Sequence, residues 1–179
     1  MSLDPFVVHV ARLRRTAGTC WHEVRRGPID PEHETHPASM GDSSLPVGAE
    51  VVCDVTLQSF EGGVMATGTV RAPWIGTCCR CTAPVEGELA VPFRERFADP
   101  AAPGEPEDEE AYRIVDDELD LRPMVRDAVL LELPLAPLCR PDCAGLCPEC
   151  GADRNVEECH CVAPVDPRWA NLDVLRSTS

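Results

Sequence analysis

The stretch that decides the fold is residues 50–71, which read EVVCDVTLQSFEGGVMATGTVR. Val, Thr and Leu alternate with polar residues on both sides of a Gly-Gly pair, and this pattern predicts an antiparallel hairpin. Upstream, the loose alternation in residues 6–10 predicts a first strand. Downstream, residues 82–97 predict a further strand whose apolar residues are mostly odd-numbered, so that they share one face.

The region that follows predicts one more strand and a single helix. Residues 112–115 are rich in β-forming types, and residues 120–133 carry apolar groups at helical spacing. Asp120 is a candidate cap, Pro123 fits the first helical turn, and Pro134 ends the helix. The sequence therefore predicts an α+β fold. We expect a mainly antiparallel β-sheet, or a partly open barrel, with one packed helix and a small cysteine-rich, zinc-binding C-terminal appendage.

This fold divides into two expected units. Residues 1–135 form a β-rich body that includes the helix, and residues 136–179 form the cysteine-rich appendage, which ends in a docking helix from Asp166 onwards. The polar, proline-containing segment at 28–46 predicts a mobile loop, and the segment at 101–110, which consists mainly of Pro, Gly and acidic residues, predicts an exposed loop.

Charge limits the classes of partner. The chain has 31 acidic residues against 16 basic ones, all Arg, and a net charge of −15. So acidic a protein repels phosphate at long range, which counts against general nucleic-acid binding. Arginines nevertheless cluster near the N-terminus, and one more lies in a cysteine turn. The candidate contacts for RNA or a partner protein are Arg12, Arg14, Arg15, Arg25, Arg26 and Arg80.

The sequence lacks the patterns of several common classes. No apolar run approaches the ~18–20 residues of a membrane span, and the N-terminus has no signal-peptide pattern. We therefore expect a cytoplasmic protein without membrane contact. Phosphate loops, dinucleotide fingerprints and nucleophile elbows are missing as well, so no small-molecule substrate is indicated.

Clustered cysteines are the main chemical feature. In a reducing compartment they predict metal ligands rather than disulfides. The C-terminal candidates are Cys139, Cys143, Cys147, Cys150, Cys159 and Cys161. Cys147-Pro148-Glu149-Cys150-Gly151 has the form of a zinc knuckle, in which two thiolates reach one ion across a turn. Six thiolates leave two outcomes open: one ion with two spare thiols, or a binuclear site with shared thiolates. We expect a set in which Cys139 or Cys143 joins the knuckle and one downstream cysteine.

An all-thiolate site is typical of structural rather than catalytic zinc. Cys78 and Cys81 form a second candidate thiol site. A redox pair usually opens a helix. Because this pair lies between two predicted strands, half of a zinc site or a packed pair of thiols is the favoured interpretation. Cys20 and Cys53 are predicted to be buried apolar cysteines.

Several motifs occur in an order that resembles a known family. They are Pro46-Val47-Gly48-Ala49-Glu50, Cys78-x-Arg80-Cys81-x-x-Pro84, Asp120-Leu121-x-Pro123-x-Val125-Arg126-Asp127, Leu131-x-Leu133-Pro134, Cys139, Cys143-x-Gly145-Leu146-Cys147-Pro148-x-Cys150-Gly151 and Asp166-Pro167-Arg168-Trp169. The set is similar to the YceD-like family, the large-ribosomal-RNA-subunit accumulation proteins, from about residue 6 to 175. The resemblance implies a bacterial cytosolic protein needed for the accumulation or processing of 23S ribosomal RNA, without an established catalytic activity. It also implies that members differ in the C-terminal cysteine region, which makes the Cys78/Cys81 turn and the 120–134 helix better candidates for a shared site.

Two functional hypotheses follow. The first is a non-enzymatic factor that supports 23S rRNA accumulation and large-subunit biogenesis, carries structural zinc, and contacts ribosomal RNA or a basic ribosomal protein. Within this hypothesis the contact is made by the arginines, or instead by the acidic surface, which would mimic RNA and hold a basic ribosomal protein before assembly. The second is a thiol- or metal-dependent enzyme, either a redox protein or a nuclease, that acts in RNA maturation.

Overall fold

A computed structural model describes residues 4–29, 38–100, 112–162 and 168 of the chain. In chain order its elements are β1 (Val7–His9), a short 3-10 helix (Leu13–Arg15), β2 (Cys20–Gly27), β3 (Ser39–Met40), β4 (Ser43–Ser44), β5 (Val51–Phe60), β6 (Gly63–Thr77), β7 (Pro84–Ala98), β8 (Tyr112–Val115), β9 (Glu118–Asp120) and α1 (Arg122–Glu132). Every strand pairing is antiparallel except that of β7 with β8. The described residues thus form an α+β fold with an open, mostly antiparallel sheet and one α-helix, as the sequence predicts for this part of the chain.

The long strand β6 organises the sheet. It pairs with β7 along its whole length, from Gly63 opposite Ala98 to Thr77 opposite Pro84. Two strands pair with the other edge of β6. β5 pairs with residues 63–71, and β4 pairs with Ile75 and Gly76. On the β8 side the order continues through β9 to β1, and β2 lies outside β5. The predicted hairpin is confirmed, and its second strand extends to the turn that carries Cys78.

The core lies between one face of this sheet and α1. Alternate residues of β5, β6 and β7 are buried there, as the period of two predicts, and the helix contributes Met124, Val125 and Val129. The predicted helix is confirmed with slightly narrower bounds, because Asp120 is the last residue of β9. Its carboxylate still accepts the Arg122 backbone N–H at 2.9 Å, which satisfies one of the donors that a helix start leaves unpaired.

Two segments differ from the sequence-based prediction. Residues 38–46 were expected to belong to a mobile loop, but they contain the β3–β4 hairpin. Leu45 is buried, and the Ser43 hydroxyl donates to the Pro134 carbonyl at 2.6 Å, so the segment is fixed against the end of the helix region. Strand β2 was not predicted, because its exposed and half-buried residues alternate without an apolar pattern.

Other expectations fall outside the described residues: positions 30–37 of the first loop, the acidic loop at 101–110, and the C-terminal helix from Asp166. Within the part of the chain that the structure describes, no helix is long and apolar enough to cross a membrane. The division into a body at 1–135 and an appendage at 136–179 stays a prediction. Leu138 and Cys143, from the second of these ranges, pack against the turn between β6 and β7.

Candidate metal centre

Eight of the eleven cysteines lie in two groups of four. The first group, here called the hairpin site, consists of Cys78, Cys81, Cys139 and Cys143. The second, the C-terminal site, consists of Cys147, Cys150, Cys159 and Cys161. Within each group all four Sγ atoms lie within 4.8 Å of one another, and all eleven cysteines are free thiols. Each group could therefore hold a metal ion.

This grouping corrects the expected ligand set. Cys139 and Cys143 do not join the 147–150 knuckle but face the turn between β6 and β7, where the Cys81 and Cys139 sulfurs are 3.5 Å apart. The cause is a long-range contact, in which the Cys79 backbone N–H donates to the Pro137 carbonyl at 2.9 Å and brings the chain beyond α1 past the hairpin turn. Both downstream cysteines then complete the C-terminal site. Six C-terminal thiols are two too many for one four-coordinate ion. With Cys78 and Cys81 included there are eight, which is the number that two four-coordinate ions require.

The two Cys-x-x-Cys turns have the same backbone hydrogen bonds. In the hairpin turn, the Cys78 N–H donates to the Ala83 carbonyl at 2.8 Å, and the Thr82 N–H donates to the Cys78 carbonyl at 2.9 Å. In the C-terminal turn, the Cys147 N–H donates to the Ala152 carbonyl and the Gly151 N–H donates to the Cys147 carbonyl, at 2.8 and 2.9 Å. The residue after the second cysteine has a positive φ in both turns, 61° at Thr82 and 76° at Gly151. The chain therefore builds one local structure twice.

In each turn the pKa of the first cysteine is lowered, which favours its thiolate form. Hydrogen bonding by the Cys139 backbone lowers the pKa of Cys78 to about 6, and the backbone of Arg80 and Cys81 adds to this while burial opposes it. Hydrogen bonding by the backbone of Cys150 and Glu149 likewise lowers the pKa of Cys147 to about 6. Backbone N–H donors stabilise the charged form of sulfur, which is the form that binds metal.

One later cysteine in each site, Cys139 and Cys161, has a raised pKa instead. A hydrogen bond with the Cys81 side chain, followed by one with Cys143, raises the pKa of Cys139 to about 12. A hydrogen bond with Cys159 leads the causes that raise the pKa of Cys161 to about 12. Each group thus holds a thiolate next to protonated thiols. A bound cation would displace the remaining protons, because metal ligands must be deprotonated.

Asn155 and Arg80 connect the two sites, and sequence reasoning did not identify this bridging role for either. The Asn155 side-chain oxygen accepts the Ala144 N–H at 2.8 Å, and its amide nitrogen donates to the Cys143 sulfur at 3.5 Å. The Arg80 guanidinium donates to the Cys143 carbonyl at 2.8 Å, and the Arg80 carbonyl accepts the Leu146 N–H at 2.9 Å. No sequence motif marks Asn155 as a hydrogen-bond partner of a cysteine sulfur, and its position becomes clear only from the fold.

The N-terminal arginines do not form a single patch. Arg14 makes ion pairs with Asp99 and Asp117, and Arg25 pairs with Glu23 on the half-buried face of β2. Two others, Arg12 and Arg15, are exposed near the 3-10 helix, and Arg26 is exposed on the opposite face of β2 from Arg25. Their proposed role in contacting RNA or a partner stays a prediction, as does that of Arg80.

Cys53 and Cys20 were both predicted to be buried, and they differ in the structure. Cys53 is fully buried in the core, and burial, followed by the nearby Asp54 charge, raises its pKa to about 12. The same prediction was wrong for Cys20, which is exposed because it begins β2 on the solvent side of the sheet.

Comparison with known proteins identifies the family. The family model for the large ribosomal RNA subunit accumulation protein YceD matches residues 66–176, a range that includes both cysteine sites. The chain belongs to the YceD family. Among the relatives of this YceD-family chain, an uncharacterized protein of Mycobacterium tuberculosis is 41% identical over 175 residues, which cover 94% of this chain and 80% of the relative. An uncharacterized protein of Mycobacterium leprae is 40% identical over 127 residues, or 70% of this chain and 58% of the relative.

A plant relative carries a functional name. A Zea mays protein named large ribosomal RNA subunit accumulation protein YCED homolog 1, chloroplastic, is 38% identical over 78 residues, which cover 43% of this chain and 22% of that protein. No solved structure matches the chain.

Proposed function

We propose that the protein is a non-enzymatic factor of the bacterial cytoplasm that supports the accumulation or processing of 23S rRNA and the biogenesis of the large ribosomal subunit. The observation that carries the proposal is the match of the YceD family model over residues 66–176. The name of the maize relative, which also refers to accumulation of the large ribosomal RNA subunit, supports it.

We also propose that both cysteine sites hold zinc. Four thiolates at about 2.3 Å from a tetrahedral ion are about 3.8 Å from one another. In the hairpin site, the Cys78–Cys143 and Cys81–Cys139 sulfur distances are 3.8 and 3.5 Å. In the C-terminal site, Cys159 lies 3.3 Å from the Cys147 sulfur and 3.5 Å from that of Cys150. The residues therefore fit a zinc ion with only a small expansion of each group.

The proposed role of the zinc ions is structural. Four protein thiolates complete a tetrahedral shell, whereas catalytic zinc keeps one position for water or substrate. Two ligands of the hairpin site are also screened from solvent, because Cys78 and Cys143 are 1% and 2% exposed, whereas Cys139 is exposed. An ion there would join the β6–β7 turn to the segment beyond α1, across the 58 residues that separate Cys81 from Cys139. The metal thereby fixes the C-terminal segment to the sheet.

The alternative of a thiol- or metal-dependent enzyme rests on the low pKa of Cys78. Cys78 is 1% exposed, and its sulfur lies within 4.8 Å of three other cysteine sulfurs, an arrangement that favours metal binding over attack on a substrate. A Cys78→Ser, Cys81→Ser double variant separates the classes. If the variant folds and maintains 23S rRNA levels, the redox function is excluded. If purified protein cleaves precursor RNA and loses this activity with a chelator, the non-enzymatic proposal is wrong.

The main test is genetic. In a bacterium whose own copy of the gene is deleted, we expect the ratio of 23S to 16S rRNA to fall and a plasmid-borne copy of this chain to restore it. An unchanged ratio in the deletion strain contradicts the proposal. Affinity purification with and without ribonuclease then identifies the partner class. Loss of ribosomal material after nuclease treatment indicates RNA contact, and its persistence indicates a basic ribosomal protein.

A further inference from the structure

The solvent-facing side of the sheet carries a group of arginines that are distant in sequence. Strands β2, β5, β6 and β7 lie side by side, and their pairing aligns four rows of outward-facing residues on the side away from α1. The rows are Cys20, Gln58, Met65 and Arg96; then His22, Thr56, Thr67 and Arg94; then Val24, Asp54, Thr69 and Pro92; then Arg26, Val52, Arg71 and Ala90. We call these sixteen positions the arginine face.

The net charge of the arginine face has the opposite sign to that of the whole chain. Acidic residues outnumber basic ones by 31 to 16 in the whole sequence. The arginine face holds four arginines and one carboxylate, Asp54. That carboxylate is engaged by His22, whose Nε2 lies 2.7 Å from its oxygen. The face is therefore a local cationic surface on an acidic protein.

Three of its four arginines, Arg26, Arg71 and Arg94, are exposed and at most weakly paired with the residues that the structure describes. Arg71 and Arg94 make no ion pair with any residue that the structure describes. Arg26 is 3.8 Å from Glu50, and both side chains are more than 60% exposed, so the pair is worth little. Arg96 lies over the Phe60 ring at 5.4 Å, a cation–π contact that holds its guanidinium against the sheet.

The neutral residues of the arginine face suit a sugar-phosphate backbone. Thr56, Thr67, Thr69 and Gln58 lie among the arginines and provide the hydroxyl and amide groups that contact phosphate and sugar oxygens. Arg94 and Arg96 project from one strand about 7 Å apart, and Arg26 and Arg71 are two strands apart, about 10 Å. Guanidinium groups bind phosphate through paired hydrogen bonds, and several of them in a row can contact successive phosphates of one RNA strand.

The same composition disfavours the other partner classes. A basic protein would be repelled by this face. An acidic protein would normally bury an aromatic or aliphatic anchor at the centre of its interface, whereas the four central positions of the arginine face, Thr56, Thr67, Asp54 and Thr69, are all polar. The Phe60 ring, which borders the arginine face, is covered by the Arg96 guanidinium, so the sixteen positions provide no open ring for stacking unpaired bases. The composition of the arginine face therefore favours contact with the RNA backbone, with little dependence on base sequence.

We propose that the arginine face binds RNA through its sugar-phosphate backbone. In naming ribosomal RNA as the natural ligand this inference rests on the proposed function, but the binding itself does not require it. The acidic surfaces elsewhere repel RNA, so that the ligand is restricted to this one side of the sheet.

The test is a titration of metal-loaded, full-length protein into two fluorescently labelled probes, a single-stranded RNA and an RNA duplex, each about 20 nucleotides long and followed by anisotropy. Each arginine–phosphate contact removed should weaken binding about tenfold. We therefore expect an Arg71→Gln, Arg94→Gln double variant to bind about a hundredfold more weakly, and its salt dependence, the slope of log K against log salt, to fall by about 2.

The matched control is an Arg113→Gln, Arg154→Gln double variant. It removes the same charge from exposed arginines outside the arginine face, and we expect it to change the RNA affinity less than threefold. Equal losses in the two double variants would overturn the proposal, because net charge alone would then explain binding. Retained circular dichroism and metal content show that each variant is folded.

Two further outcomes separate the proposal from its neighbours. If polyglutamate binds as tightly as RNA and loses affinity in the same variant, the face recognises acidic polypeptides and the proposal is wrong. Complementation of the deletion strain tests the function separately. A wild-type chain that binds RNA but does not restore 23S rRNA contradicts the proposed function alone. Unaltered RNA affinity in the Arg71/Arg94 variant, with restored 23S rRNA, contradicts this inference alone.

Discussion

The contact between the two metal sites can be tested at a single glycine. Gly145 lies between the last cysteine of the hairpin site and the first of the C-terminal site, and it has a φ of +73°. A Cβ at this position would lie 2.9 Å from the Arg80 carbonyl oxygen and 3.2 Å from the Arg80 Cβ. The carbonyl cannot move freely, because it accepts the Leu146 N–H at 2.9 Å. We therefore predict that Gly145→Ala destabilises the protein by separating the 143–146 segment from the hairpin turn.

The size of the effect follows from two contributions. An alanine held at positive φ costs about 1–2 kcal/mol. Forcing a methyl group into an occupied space adds about 1–3 kcal/mol. Gly151 is the matched control, because its φ is +76° and a Cβ there would meet nothing within 4 Å. Gly151→Ala should therefore carry only the backbone cost, and Gly145→Ala should be worse by about 1–3 kcal/mol.

The assay is denaturant unfolding of the metal-loaded proteins at a fixed concentration of free zinc, because a bound ion adds to the stability of the folded state. Tryptophan fluorescence provides the signal, since Trp74 lies on β6 close to the hairpin site. Equal free energies of unfolding for the two variants, within about 0.5 kcal/mol, would refute the reasoning. Such a result would mean that the 143–146 segment does not lie against Arg80.

Two further predictions concern groups outside the metal shells. Asn155→Ala should weaken metal binding at the hairpin site about 10–100-fold in a chelator competition, because it removes a hydrogen bond to the Cys143 sulfur; an unchanged affinity would contradict this. Tyr112 is the only tyrosine in the chain, and burial, then its hydrogen bond to Asp127 at 2.7 Å, raises its pKa. Its contribution to stability is complete below pH about 10 and is lost as pH rises through the folded-state pKa. Ultraviolet titration should show ionisation above the usual range, and Asp127→Asn should shift it downward; titration of the folded wild type at the usual pKa would rule out the contact.

The strands that sequence analysis predicts are those in which one face is buried. β5, β6 and β7 show the period of two because Val55, Val70 and Phe93 pack into the core while their neighbours face solvent. β2 has no such signal, since its half-buried face contains Glu23 and Arg25. This strand forms by pairing with β5, and the pairing is a property of two distant segments rather than of either one.

The grouping of side chains into sites was less predictable for the same reason. Neighbours in sequence suggested that Cys139 and Cys143 join the knuckle at 147–150, whereas the path of the chain after α1 places them beside Cys78 and Cys81. The arginines near the N-terminus are also close in sequence but separate in space. The four of the arginine face come from three strands, and only the register of the sheet brings them together.

The central claim is that each of the two four-cysteine groups binds its own zinc ion. Native mass spectrometry of the purified protein tests it directly, with a Cys81→Ser, Cys139→Ser variant beside the wild type. The account predicts two zinc ions in the wild type and one in the variant, because the C-terminal site keeps all four of its ligands. A single ion in the wild type, or the loss of both ions in the variant, would contradict it.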